Sequence, residues 1–535
     1  MKKIYLLSSI ALATVLTSCF NLSTEPMSGI ITEEQRSEIF EQDPASISAL
    51  SDGVYKNYNG WELCYGDNMD FGYPGIMLQL ESRTASFVST HPDSYGWFYQ
   101  PVAYLDNTAS NVYATIRWRM PYNTIYSCNQ VLGSIDPETD NNLLKFYRGQ
   151  AYGNRAFAYW ILAQLYQFNY VGHENDMCVP IITELNENEV AQDGAPRASV
   201  KDVYEQILSD LNNGIELMTS NPSATRSDKR YIDINVLYGL RARTYLCMQE
   251  YSKAAADAQA VINSGAFRPL SSSDAIGPGF IDLTASNWIW GIYYATEDVM
   301  GLYTLAGFTG SYTYGYAYAG EYKLINSNLY ARISENDPRK LWWIGPTGNS
   351  NAMYYTAADG NAVDYLDESG FPVYSVVKFA PFNNVLGQSN NEADVPLMRI
   401  EEMYYILAEA QGMGGQLSTG IQTLENFVNS YRWNSKDVAY KCSATTPEEF
   451  IDEIFFQRSV EFWGEGMTYY DIMRLGFPVD RTNSNWSTPA NGVASYAFYI
   501  EPTNTVLLSQ IPQSEIDNND QIDEKDQNEP GTATL

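Results

Sequence analysis

The stretch DINVLYGLRARTYLCMQEYSKAAADAQAVINSG, residues 233–265, admits few folds. Apolar positions recur at helical spacing on both sides of a break near Glu250, and Gly265 stands where a helix C-cap needs a left-handed residue. The segment therefore reads as two antiparallel helices joined by a tight turn. Ala242 and Tyr245 precede the turn, and Tyr251, Ala254 and Ala258 follow it. Small residues at such positions let paired helices approach closely, and the apolar face left over must be covered by a neighbour.

That arrangement of small and aromatic residues matches the spacing of a tetratricopeptide repeat. Weaker helical pairs are read in FYRGQAYGNRAFAYWILAQLY (146–166) with a helix before it, and in MRIEEMYYILAEAQGMGGQLSTGIQTLENFVNSY (398–431). In ASVKDVYEQILSDLNNGIELM, Ser199 and Asp202 form a capping-box-like start, and Val203, Ile207, Leu211 and Ile215 make one stripe. Thr446-Pro447-Glu448-Glu449 supplies an N-cap, a proline at the first helical position and an acidic partner for a further helix. The fold class expected is mainly α: a tetratricopeptide-like scaffold of helical pairs carrying long, irregular, aromatic-rich loops and minor β structure. One domain is expected over 19–535, with an N-terminal half of about 19–280 and a C-terminal half of about 281–535.

The loops differ in character from the helices. Residues 60–110 and 266–395 are rich in Gly, Asn, Pro, Tyr and Trp, and connections of that length are usually functional. NWIWGIYYATED (287–298) reads as a buried strand ending at charges. SYTYGYAYAGEY (311–322) sets Tyr312, Tyr314, Tyr316 and Tyr318 at two-residue intervals, which suits an extended segment with its rings on one side. That side faces either the scaffold or a ligand.

Charge and motif content exclude several functions. With 64 acids against 32 bases, the net charge of -32 repels phosphate backbones, so nucleic-acid binding is not expected. His91 and His173 are the only histidines; HExxH, the G-x-S-x-G elbow, the P-loop and a dinucleotide fingerprint are absent from the sequence, so no cofactor, metal or catalytic residue is assigned. The run EIDNNDQIDEKD (515–526) lacks the central glycine of a calcium loop and reads as a solvated tail.

The N-terminus reads as an export signal. MKKIYLLSSIALATVLTSC has a basic start, then an apolar stretch too short to span a bilayer, and Leu16-Thr17-Ser18-Cys19 resembles a bacterial lipobox. Residues 1–18 are then a signal peptide, and Cys19 is the lipidated new N-terminus, carrying palmitate-type acyl chains into a membrane surface. Cys64, Cys128, Cys178, Cys247 and Cys442 remain, an odd number without CxxC spacing.

QRSVEFWGEGMTYYDIMRLG (457–476) closely resembles the C-terminal signature of the SusD/RagB family of outer-membrane nutrient-binding lipoproteins, with Arg458, Glu461, Phe462, Glu465, Gly466, Asp471, Arg474 and Gly476 in order. RAFAYWILAQLYQFNYVG, RARTYLCMQEYSKAAADAQAVINSG, MRIEEMYYILAEA and IPQSEIDNND resemble further family landmarks, also in order. On a helical reading, Arg458 can pair with Glu461, and Asp471 with Arg474. The resemblance implies a non-catalytic, cell-surface lipoprotein of the outer membrane that captures an oligosaccharide and hands it to a TonB-dependent transporter. It also implies ligand residues in two regions corresponding roughly to 60–105 and 297–322. A sugar needs flat rings for its C–H faces and polar groups for its hydroxyls, so the candidates are Trp61, Tyr73, Tyr95 and Trp97, with Asp70 and Arg83 as hydroxyl partners and Tyr312, Tyr314 and Tyr316 as a second wall. A surface glycoside hydrolase and a peptide-binding repeat scaffold are the alternatives.

Overall fold

The structure is a computed structural model that describes residues 33–90, 97–276, 279–298, 301–352, 356–357, 370–487 and 496–533. The helices of the stack and of the signature segment are α1 (Ser48–Asn59), α2 (Val112–Gly133), α3 (Asn142–Tyr166), α4 (Val200–Thr219), α5 (Ile234–Cys247), α6 (Tyr251–Asn263), α7 (Ile400–Met413), α8 (Leu417–Tyr431), α9 (Pro447–Glu461) and α10 (Thr468–Leu475). From α2 to α8 each helix packs on the next, and α6 packs directly on α7 although 264–399 separate them. The stack is thus continuous, and the aromatic-rich stretch is an excursion out of it.

The helix starts follow the sequence signals. Ser199 Oγ accepts from the Asp202 amide at 3.1 Å, and Thr446 Oγ1 accepts from the Glu449 amide at 3.2 Å with Pro447 at the first position. Gly265 sits at φ 63°, just past the end of α6. Ala242, Ala254 and Ala258 are fully buried, as close helix pairing requires.

Among the described residues the strands form two-stranded ladders, with a few isolated bridges besides. β1 (Phe87–Ser89) pairs antiparallel with β3 (Lys323–Ile325), β2 (Trp288–Ile292) with β6 (Val395–Arg399), and β7 (Val479–Asp480) with β8 (Tyr499–Ile500), while β4 (Thr356–Ala357) and β5 (Val385–Leu386) run parallel. The buried strand expected within 287–298 is β2, all of whose residues are buried. β1 and β3 join the two aromatic-rich loop regions directly, Phe87 opposite Ile325.

The signature segment folds around a buried ion network. Glu461 accepts from Arg339 at 3.1 Å, Arg399 at 3.0 Å and Arg432 at 2.8 Å. Asp337, Glu401 and Glu465 add three carboxylates and Lys378 a fourth cation, so the four acids match four bases. The expected Arg458–Glu461 pair is not formed: Arg458 reaches forward to Asp471 at 2.7 Å, because α10 brings that carboxylate nearer than Glu461, which is held by other elements. Asp471 and Arg474 do pair, at 2.8 Å.

The acidic run 515–526 is not a solvated tail. Glu515 accepts from Trp118 Nε1 at 3.3 Å, Asn519 donates to the Ala195 carbonyl at 2.9 Å, and Ile522 is buried, so the segment is fastened to the scaffold. Among the described residues no cluster of three or more metal-ligating side chains occurs, and no helix is long and apolar enough to cross a membrane. Cys64, Cys128, Cys178, Cys247 and Cys442 are free thiols.

An aromatic cluster where two loop regions meet

The first loop leaves α1 at Gly60 and is shaped by Asp70. One carboxylate oxygen of Asp70 accepts from the amides of Cys64 at 2.5 Å and Tyr65 at 2.8 Å, while its backbone carbonyl accepts from Glu62 at 2.7 Å. Burial pushes this carboxyl's pKa up, and the backbone amides oppose that shift. Asp70 therefore folds the loop that follows Trp61, and its side chain is fully buried.

The second loop is shaped by a crossing of glycines. In the short helix Leu305–Thr309, Thr304 Oγ1 caps the Gly307 amide at 3.0 Å, and the Tyr316 amide returns to donate to the Gly307 carbonyl at 2.7 Å. A Cβ on Gly315 would lie 2.4 Å from that carbonyl oxygen, so only glycine allows the crossing.

This crossing delivers rings from both regions to one place. Phe308 forms a buried floor, stacked on Phe71 at 5.6 Å and on Tyr316 at 4.8 Å, with Phe98 edge-on at 4.9 Å. Trp61, Trp97 and Tyr303 form a half-buried rim. Trp61 stacks on Tyr303 with centroids 6.1 Å apart and planes inclined by 17°, and Trp97 stands edge-on to Tyr303 at 5.7 Å and to Tyr316 at 4.3 Å. The buried Nε1 of Trp61 has no hydrogen-bond partner among the described residues.

The candidates from sequence separate into distinct places. Trp61, Trp97 and Tyr316 meet in the cluster, Tyr316 as part of its buried side. Tyr73 and Arg83, like Asp70, are buried in structural contacts and present no surface to a ligand. Tyr73 meets Tyr470 hydroxyl to hydroxyl at 3.2 Å, and its pKa is pushed up to about 12, by burial first. Arg83 holds Asp106 at 2.6 Å under the Tyr104 ring. Burial alone would raise the Asp106 carboxyl, but Arg83 and Arg117 hold it below the usual range.

The tyrosine ladder does not present one side. Tyr312 is fully buried and donates to Asn351 Oδ1 at 2.5 Å, whereas Tyr314 is 46% exposed and packs against Tyr318 at 5.5 Å. The chain is bent by its bond to Gly307, so the two-residue period does not translate into a strand. Cys19 and Tyr95 lie outside the described residues. Tyr303 and Phe308, which tie the cluster together, were not singled out by sequence; their only signal is being rings in the loop ahead of the ladder.

The chain matches two family models that divide it: "Starch-binding associating with outer membrane" over residues 77–246 and "SusD family" over residues 251–531, more than half of the sequence. The chain belongs to the SusD family. It is similar to SusD-like protein P2 of Formosa agariphila, with 23% identity over 517 residues, 89% of this chain and 91% of that protein. The fold is similar to that of a SusD-like carbohydrate binding protein from Bacteroides vulgatus, with a TM-score of 0.71 at 21% identity over 91% of this chain and 98% of that one. It is similar also to surface glycan-binding protein A from Bacteroides thetaiotaomicron, solved in complex with laminarihexaose, with a TM-score of 0.63 at 16% identity over 90% and 99% of the two chains.

Proposed function

We propose that this protein is a lipid-anchored glycan-binding protein of the outer-membrane surface that passes oligosaccharide to a TonB-dependent transporter and breaks no bond in it. The observation that carries this reading is the rim of Trp61, Trp97 and Tyr303 on a buried aromatic floor, because rings held at that half-exposed level offer flat apolar platforms to sugar C–H faces. Each such contact contributes about 1 kcal/mol by analogy with aromatic pairs, so several must act together. Family membership and a relative that holds laminarihexaose support a glycan as ligand.

Titration calorimetry against a glycan panel that includes laminarihexaose tests the reading. Trp97→Ala should weaken binding several-fold or more while lowering stability by about 2 kcal/mol, the edge-on contacts with Tyr303 and Tyr316 being lost. Unchanged binding, or release of reducing ends from the glycan, would overturn it. For the anchor at Cys19, a palmitate analogue fed to cells should label the protein and fail to label Cys19→Ser, which should also leave the membrane fraction. Label retained by the serine variant would place the lipid elsewhere, and no label on the unaltered protein would mean that it carries none. Co-purification of a TonB-dependent transporter with the tagged native lipoprotein tests the hand-over.

A further inference from the structure

A cavity of about 220 Å³ lies where the short helix Ser327–Arg332 meets α9 and α10, and it shares no residue with the aromatic cluster. Its walls are mostly apolar: Ala85, Leu329, Phe455, Ile472 and Pro478 line it. The volume is below the range of drug-sized sites, so an occupant is a small molecule of few heavy atoms.

Two exposed groups of opposite charge also line it, and neither is neutralised. The Arg332 guanidinium lies 4.2 Å from the centroid of the Phe456 ring and has no acceptor among the described residues. Glu335, the acid nearest to it in sequence, is engaged by Lys340 at 2.7 Å. Asp480 accepts through Oδ1 alone, from the Thr482 amide at 2.9 Å and the Thr482 hydroxyl at 2.6 Å. Its other oxygen has no donor and no base pairs with it among the described residues. Asn328, a helical turn before Arg332, donates to the Asn483 carbonyl at 3.2 Å and so fastens the short helix to the turn that begins at Asp480. Cation and carboxylate are thereby held to one cavity without reaching each other.

The charges select among small ligands. A carboxylate alone would meet Asp480 and add to a net charge of -32, and an amine alone would leave Arg332 unmatched. A molecule carrying both charges satisfies both groups and adds none. An arginine fork suits a carboxylate, and a carboxylate suits an ammonium. We infer that the cavity binds a small zwitterion with an apolar body, of the class of free leucine or phenylalanine. Arg332 takes the carboxylate, Asp480 the ammonium, and Leu329, Phe455 and Pro478 the side chain. The site does not depend on the glycan reading.

The test titrates the full-length chain with L-leucine and L-phenylalanine, and with two analogues of leucine that each lack one charge, 4-methylpentanoate and 3-methylbutylamine. One of the amino acids should bind, and each analogue should bind about tenfold more weakly than leucine or worse, the loss of one charge-assisted contact. Arg332→Gln should weaken the amino acid by about tenfold and leave 3-methylbutylamine unchanged, while Asp480→Asn, which keeps the acceptor for Thr482, should weaken the amino acid alike and leave 4-methylpentanoate unchanged. Crystals soaked in the amino acid should show it against Arg332. No binding of either amino acid, an analogue that binds as tightly as leucine, unchanged affinity in both variants, or a soaked amino acid seated elsewhere would overturn the inference. Glycan titrations of the same two variants should match the unaltered protein, so failure here and failure at the aromatic rim are read separately.

Discussion

Glu461→Gln should destabilise the protein by about 3–5 kcal/mol at neutral pH, the cost of breaking a buried ion pair from one side. The carboxylate touches Arg339, Arg399 and Arg432, and its removal leaves four buried bases facing three acids. Glutamine keeps the shape and some acceptor capacity, so the loss reports charge and not volume. Burial alone would raise the Glu461 carboxyl, yet the three guanidinium groups hold it well below its ordinary value of 4.5. A depressed pKa contributes stability that is present above the unfolded value and is lost as the pH falls through it. Wild-type stability should therefore decline below about pH 4.5, and the variant, already weakened at pH 7, should show a shallower acid limb. Urea melts across pH read both effects. A loss under 1 kcal/mol at neutral pH would mean that water reaches the network and screens it.

Gly420→Val should part α7 from α8. A Cβ at Gly420 would stand 2.6 Å from the Ala408 carbonyl oxygen and 2.7 Å from the Gly412 Cα, both backbone atoms that cannot rotate away. Overpacking of this kind costs about 1–3 kcal/mol, and valine, branched at the contact, should fall at or above the upper end. The comparison is Gly53→Ala in α1, where nothing lies within 4 Å of the added carbon. That change should leave stability unchanged or raise it by up to about 1 kcal/mol, since alanine is the better helix former. Equal melting temperatures for the two variants would show that the stacked helices yield where the contact predicts they cannot.

The helical stack is the part most open to reading from sequence, because its signals are local. Ser199, Thr446 and Gly265 mark helix ends by chemistry that acts within four residues. What resisted is set by distant partners. Arg458 and Glu461 are well spaced to pair on one helix, yet three arginines from other elements claim Glu461. Asp70 and Arg83 looked like hydroxyl partners by residue type, but an Asp that organises a loop and an Arg that fills a core carry the same letters as ones that grip a sugar. The two loop regions that supplied the candidates do meet, Trp61 and Trp97 packing on Tyr303 and Trp97 also on Tyr316. Tyr303 sits at their centre because helix Leu305–Thr309 aims it there, a consequence of the Gly307–Gly315 crossing that no periodicity announces.

The short ladders have a bearing on the order in which the molecule assembles. Phe87 must find Ile325, and Trp288 must find Arg399, across long intervals of chain, whereas α5 and α6 meet after a turn of three residues. Closing long loops is slow and forming neighbouring helices is fast. Newly made chains should therefore raise their helical frame first and complete the aromatic loop surface last, and the same surface should be first to open in hydrogen exchange.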